Sequence, residues 1–203
     1  MSRNVEWAQR IAAIANTGLY FVKDPYDRDR YQQLLEVAAE MLSGATETAP
    51  QTVRALLDHD DGYITPKVDV RGAVFNDGKV LLVQESGDGL WSLPGGWADV
   101  GDSPAGAVER EIREESGYQA RAAKLMAVDD RNRRNRRSVF AVYKLFFLCD
   151  LIGGEATTSE ESLAVDWFAP DELPPLSQGR VTAAQIERWF RHWRQPDLPT
   201  EFD

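Results

Sequence analysis

Apolar residues in the first sixty positions recur at helical steps. Trp7, Ile11, Ile14 and Ala15 are three or four residues apart, which gathers them on one stripe and predicts an amphipathic helix. Asp24-Pro25 reads as an N-cap followed by proline in the first turn. Behind it Tyr31, Leu34, Leu35, Ala38 and Met41 form a second stripe, with Ser43-Gly44 expected to end that helix. Pro50 opens a third, carrying Val53, Leu56 and Leu57. The acidic run Asp58-His59-Asp60-Asp61-Gly62 reads as a linker. A small helical domain over residues 1–62 is therefore expected, ahead of a second domain over 66–203. Two or three short helices cannot bury these stripes among themselves, so they are expected to pack on the second domain or on another copy. A homodimer is the expected assembly.

After Pro66 the pattern changes. Val68 to Phe75 and Lys79 to Gln84 are apolar runs flanking Asn76-Asp77-Gly78, and Asp-Gly between such runs signals a hairpin. A glycine-rich loop, Ser86 to Gly89, precedes Trp91 to Trp97. Ser103-Pro104 opens a helix that Gly117 stops. Leu125 to Val128, Ser138 to Cys149 and Ala164 to Phe168 read as further strands. Val181 to Trp193 reads as a closing helix that buries Ile186, Trp189, Phe190 and Trp193. Strands and helices alternate irregularly, which favours an α/β sandwich with a mixed β-sheet over a doubly wound parallel sheet.

Composition narrows the chemistry. Of 203 residues, 43% are hydrophobic, enough for a real core. The formal charge is 23 − 33 = −10. Such a surface repels phosphate backbones and anionic lipids, so a nucleic-acid coat or membrane-surface role is not expected, and RNA is at most a minor substrate. It suits a protein that collects divalent cations. The single cysteine, Cys149, excludes an internal disulfide framework and fits a reducing cytosol. No apolar stretch approaches the roughly 20 residues of a membrane helix, and no secretory signal is visible at the start, so a cytoplasmic protein is expected.

The informative segment is Arg110-Glu111-Ile112-Arg113-Glu114-Glu115-Ser116-Gly117. On a helix, Glu111, Glu114 and Glu115 fall at i, i+3 and i+4, and three carboxylates share one face within about a turn. Something positive must sit between them: a hard divalent cation with oxygen ligands, or nearby arginines such as Arg110 and Arg113 on a solvated acidic face. Gly95-Gly96 ahead of the helix permits a close main-chain approach, so a carbonyl there could reach a cation.

Gly96, then Asp102 after five residues, then Arg110 to Tyr118 after seven more, resembles the Nudix box, which spans 23 residues here. Leu93-Pro94-Gly95-Gly96 is also typical of that family. Two positions depart from the pattern: Asp102 stands where glutamate is usual, and Tyr118 where an aliphatic residue is usual. The segment from Val5-Glu6-Trp7-Ala8 through Arg30-Tyr31 is similar to the N-terminal extension of Nudix hydrolases acting on nucleoside diphosphates linked to another moiety. Trp91 to Gly101 together with Val142 to Phe147 is similar to the CDP-choline pyrophosphatase branch.

The resemblance implies a Nudix-type α/β/α sandwich and Mg2+-dependent hydrolysis, with Mn2+ able to substitute. Its implied substrate is CDP-choline or another CDP-alcohol, giving CMP and a phosphorylated alcohol; ADP-ribose or another nucleotide sugar is the alternative. A catalytically silent nucleotide sensor is the reading from a different class. Glu111, Glu114 and Glu115 would hold the metal with the Gly95 or Gly96 carbonyl. Arg110 could orient Glu111 or form only a surface salt bridge, and one of these carboxylates, or a glutamate on a distal loop such as Glu161 with Glu160 its near rival, would take the proton from water. Trp97, Arg71, Arg133 and Arg134 are the substrate-binding candidates. The last two belong to the run Arg131 to Arg137, which reads as a loop between strands.

Overall fold

The computed structural model describes residues 3–58, 63–134 and 139–203. The chain divides into two compact units, Met1–Lys67 with Asp130–Val142, and Val68–Asp129 with Tyr143–Asp203. His59 and the residues from Asn135 to Ser138 lie outside the described residues.

In the first unit α1 (Arg3–Phe21), α2 (Pro25–Thr46) and α3 (Pro50–Leu57) form an apolar cluster. Asp24 caps α2, accepting from the Tyr26 and Asp27 amides at 2.8 and 3.1 Å, an arrangement worth about 1 kcal/mol. The helix runs through Gly44 to Thr46 and stops at Glu47, which takes left-handed geometry at φ 57°. Glycine inside a helix costs only about 1 kcal/mol. The ladder continues past it through the bond from the Glu47 amide to the Ser43 carbonyl.

Ala15, Leu35 and Ala38 are buried as expected and Ile11, Tyr31 and Met41 pack against them, but the α1 stripe is centred on smaller residues. Val5, Ala8, Ala12 and Ala15 of α1 meet Leu35, Ala38, Ala39 and Leu42 of α2, while Trp7, Ile14 and Leu34 are exposed. Alanines let the two backbones approach closely, and the bulkier side chains are turned outward. Asn16 is buried and donates from Nδ2 to the Leu57 carbonyl at 2.7 Å, satisfying an orphan acceptor at the end of α3. Arg131–Arg134 forms one helical turn, α5, in this unit.

The second unit is built on a seven-stranded sheet of β1 (Lys67–Asn76), β2 (Lys79–Glu85), β3 (Trp91–Ser92), β4 (Tyr118–Asp130), β5 (Val142–Gly154), β6 (Ser162–Phe168) and β7 (Glu201–Phe202). The order is β3-β2-β1-β5-β4-β7, with β6 on β2. The β1–β2 hairpin pairs Phe75 with Val80, and Asp77 and Gly78 both take positive φ, as a two-residue turn requires. β7 runs parallel to β4, so the sheet is mixed.

Alternation along the strands splits the core. Val70, Val74, Leu81 and Phe147 pack against α4 (Pro104–Ser116). Ala73, Phe75, Leu82, Phe146 and Leu148 pack against α6 (Ala183–Arg194). This is the α/β/α sandwich that the sequence suggests. β4 is far longer than the apolar segment Leu125 to Val128, because its first half alternates with exposed polar residues such as Gln119 and Arg121. His192 is buried on α6, with Nε2 2.9 Å from Glu201 Oε1 on β7.

Candidate active site

Four local features position α4. Ser103 caps it, accepting from the Gly106 amide, and Pro104 occupies its first turn. Gly117 ends it in left-handed geometry. Ala107, Val108 and Ile112 bury its apolar face, and Gly72 makes room: a Cβ there would fall 2.5 Å from Ile112 Cδ1. Glu111, Glu114 and Glu115 then lie in the last two turns. The negative end of the helix macrodipole opposes them there, and Arg113 is the sole basic residue of that turn.

The chain from Pro94 to Ala98 lies along β1. The Gly72, Val70 and Ala98 amides bond the Pro94, Gly96 and Val68 carbonyls at 2.9, 2.8 and 3.0 Å. Gly95 therefore sits across from Arg71 with its own N–H and C=O facing away from β1. A Cβ on Gly95 would fall 2.1 Å from the Val70 oxygen and 2.8 Å from Arg71 Cα, and its φ of 141° is open to glycine alone. Its N–H donates to Glu115 Oε2 at 2.8 Å. The Gly96 carbonyl is occupied by Val70, whereas the Gly95 carbonyl accepts from none of the described residues.

The three glutamates differ. Glu115 is 6% exposed, and burial pushes its pKa up to about 7 despite the Arg71 charge and the Gly95 amide. Glu111 lies against Gly96, its Oε2 3.1 Å from where a Cβ would stand. Burial raises its pKa too, against the pull of Arg110. The Glu114 side chain is 51% exposed. Arg110 joins the set: Nη1 donates to Glu111 Oε1 at 2.9 Å and Glu114 Oε2 at 3.1 Å, and Nε to Asp102 Oδ2 at 3.2 Å. Asp102 thus keeps the ion pair with the helix although it is one methylene shorter than glutamate.

Among the described residues no three His, Cys, Asp or Glu side chains are already set as a ligand group. The donor chemistry still fits a hard divalent cation. Two carboxylates whose pKa values burial raises and an unengaged carbonyl are all oxygen donors, the ligand type such a cation takes.

Glu161 is exposed at the entry to β6, and its carbonyl accepts from the Ser86 amide at 2.9 Å. The neighbouring Ser162 Oγ donates to the Glu115 carbonyl at 2.6 Å, which ties this loop to the end of α4. Glu160 is exposed as well. Trp97 follows Gly96 and is exposed. Arg71 does not line the surface. It is 5% exposed, with its guanidinium committed below the loop. Arg133 is exposed in the helical unit rather than the unit that carries the glutamates, and the Arg134 side chain lies outside what is described.

Sequence reasoning missed Glu85, buried at the end of β2 with Oε1 accepting from Ser92 Oγ at 2.8 Å and 3.0 Å from Arg180 Nε. A carboxylate closing the apolar run Val80 to Val83 was the available signal. Cys149 is buried in the sheet core, which pushes its thiol pKa up.

Residues 2–57 match a family model described as a UDP-X-like, N-terminal oligomerisation domain, and residues 65–190 match that of the NUDIX domain. The chain is 44% identical over 200 residues to YjhB of Bacillus subtilis strain 168, provisionally named an ADP-ribose pyrophosphatase; the match covers 98% of this chain and 96% of that one. A crystal structure of a UDP-X diphosphatase is 37% identical with a TM-score of 0.65, covering 99% of this chain and 98% of its own. An ADP-ribose pyrophosphatase from Streptococcus suis 89-1591 is 44% identical with a TM-score of 0.64, covering 68% and 100%. With both its helical extension and its catalytic domain matched, the chain belongs to the Nudix hydrolase family.

Proposed function

We propose that the protein hydrolyses the pyrophosphate bond of a nucleoside diphosphate linked to a second moiety. One water is added across P–O–P, yielding a nucleoside monophosphate and the phosphorylated second group. The observation that carries this reading is the pair Glu111 and Glu115, crowded against Gly95-Gly96 at the negative end of α4 with raised pKa values. Glu111, Glu114 and Glu115, with the Gly95 carbonyl, would hold Mg2+ or Mn2+. A cation bound there would polarise phosphoryl oxygens and lower the pKa of coordinated water.

Arg110 orients Glu111 and Glu114 by its paired bonds. Glu161, exposed beside the anchored Ser162, is the proposed proton acceptor. Trp97 offers an exposed ring to a base or sugar. ADP-ribose and UDP-linked compounds are supported by the names of the relatives, and CDP-choline by the loop resemblance. The exposed Trp7, Ile14, Leu34 and Val37 of the helical unit are the proposed contact with a second copy. No helix among the described residues is long and apolar enough to cross a membrane, and a cytoplasmic location is part of the same proposal.

Incubation of the protein and Mg2+ with ADP-ribose, UDP-glucose and CDP-choline in H2(18)O, with products read by mass, tests the reaction. Metal-dependent release of a nucleoside monophosphate from at least one is expected. No turnover on any would favour a nucleotide sensor.

A further inference from the structure

Arg71 has no role in the reading above, yet its charge is buried at the centre of the unit. Nε and Nη2 donate to Asp69 Oδ1 and Oδ2 at 2.8 and 3.4 Å. Nη1 donates to the Leu93 carbonyl at 3.1 Å and Ser92 Oγ at 3.3 Å, and lies 3.6 Å from Glu85 Oε1. Lys144 Nζ stands 3.8 Å from Asp69 on the other side. With each guanidinium nitrogen engaged, no edge is left for a substrate phosphate. Burial alone would weaken the charge, but Asp69, with Glu115 and Glu85, more than restores it.

Stability does not explain this choice, because well-packed apolar side chains generally replace a buried ion pair without loss. Location does. Arg71 lies directly across β1 from Gly95, its Cα and Cδ 2.8 and 3.0 Å from where a Gly95 Cβ would stand. Its Nη1 holds the carbonyl two residues before that glycine. The Gly95 amide in turn holds Glu115.

We propose that Arg71 is a positioning residue: a buried strut that fixes the Leu93–Gly96 loop so that Gly95 and Glu115 keep their mutual placement. The proposal rests on the reading of Glu111 and Glu115 as the reacting end of the site. It separates Arg71 from a substrate contact, which would be felt in KM, and from a plain core residue, which would be felt throughout the fold.

The test compares Arg71→Met and Arg71→Lys with the wild-type chain by hydrogen–deuterium exchange and steady-state kinetics. In Arg71→Met the peptide covering 92–97 should exchange about tenfold faster while α6, in the core of the same unit, keeps wild-type protection. Its kcat should fall about 100-fold, the scale of a 1 Å misplacement, with KM within about threefold. Lysine keeps the charge but not the fork and should recover about a tenfold share of kcat. Wild-type exchange in 92–97, or a loss confined to KM, overturns the proposal. If Arg71→Met does not fold, Arg71→Lys decides: faster exchange in 92–97 with lowered kcat supports it, and wild-type values of both overturn it. Exchange needs no turnover, so if the wild-type enzyme cleaves none of the substrates the functional reading fails while the loop comparison still judges Arg71.

Discussion

Among the described residues the helical unit buries one polar side chain, Asn16, and otherwise valine, leucine and small alanines. The sheet unit encloses Asp69, Arg71, Glu85, Glu115, Asp129, Lys144 and His192 within a comparable apolar framework. Unpaired buried charge is expensive, so a fold retains it where it is paired or used. Asp129 and His192 belong to the paired kind: Asp129 meets Gln185 and Arg188, and His192 meets Glu201. Glu115 is different. It receives one amide bond, and burial keeps its pKa raised to about 7. The helical unit is thus a matter of volume, and the sheet unit a matter of charge.

Replacing Glu115 by Gln should break the sheet side of this contrast most severely. Turnover is expected to fall by roughly three orders of magnitude, the scale on which essential groups act, with circular dichroism and thermal midpoint near wild type. Leu42→Ala tests the other side. Leu42 is fully buried between the helices, so the helical unit should lose about 2–5 kcal/mol in denaturant unfolding. Turnover of the folded enzyme should stay within about twofold, the margin expected when a site's geometry is untouched.

A smaller effect is expected from Trp7→Lys with Ile14→Lys on the outer face of α1. Light scattering after size exclusion should show a shift toward monomer, while the protein remains folded. An unchanged dimer would place the contact elsewhere.

The smallest effect is in acid. Hydrogen bonds from His192 and Arg188 outweigh partial burial and hold the Glu201 pKa below 4.5. A depressed carboxyl contributes stability above its unfolded pKa and loses it as pH falls through the folded value. The C-terminal segment should therefore loosen below about pH 4.5, seen as faster exchange in 198–203, and Glu201→Gln should remove that dependence.

What was legible in the sequence was what is local. Glu114 and Glu115 follow Glu111 by three and four residues, so helical geometry alone put them on one face, and Ser103, Pro104 and Gly117 marked the ends of α4. The Arg71–Ser92–Glu85 group was illegible because strand pairing assembles it from separate segments, and the pattern of apolar positions does not show which charged residue turns inward. The α1 stripe was misplaced because Trp7 and Ile14 outweigh Ala8 and Ala12 in any hydrophobicity reading, although close helix packing selects the smaller pair. A two-residue strand such as β7 leaves no periodicity at all.

Glu111 and Glu115 are proposed to share a divalent cation at the Gly95-Gly96 loop. Manganese binding followed by electron paramagnetic resonance tests it without substrate. A tight site is expected in the wild-type chain, weakened about 100-fold or more in both Glu111→Gln and Glu115→Gln, since each would lose a charged oxygen ligand. Wild-type manganese affinity in both variants would contradict it.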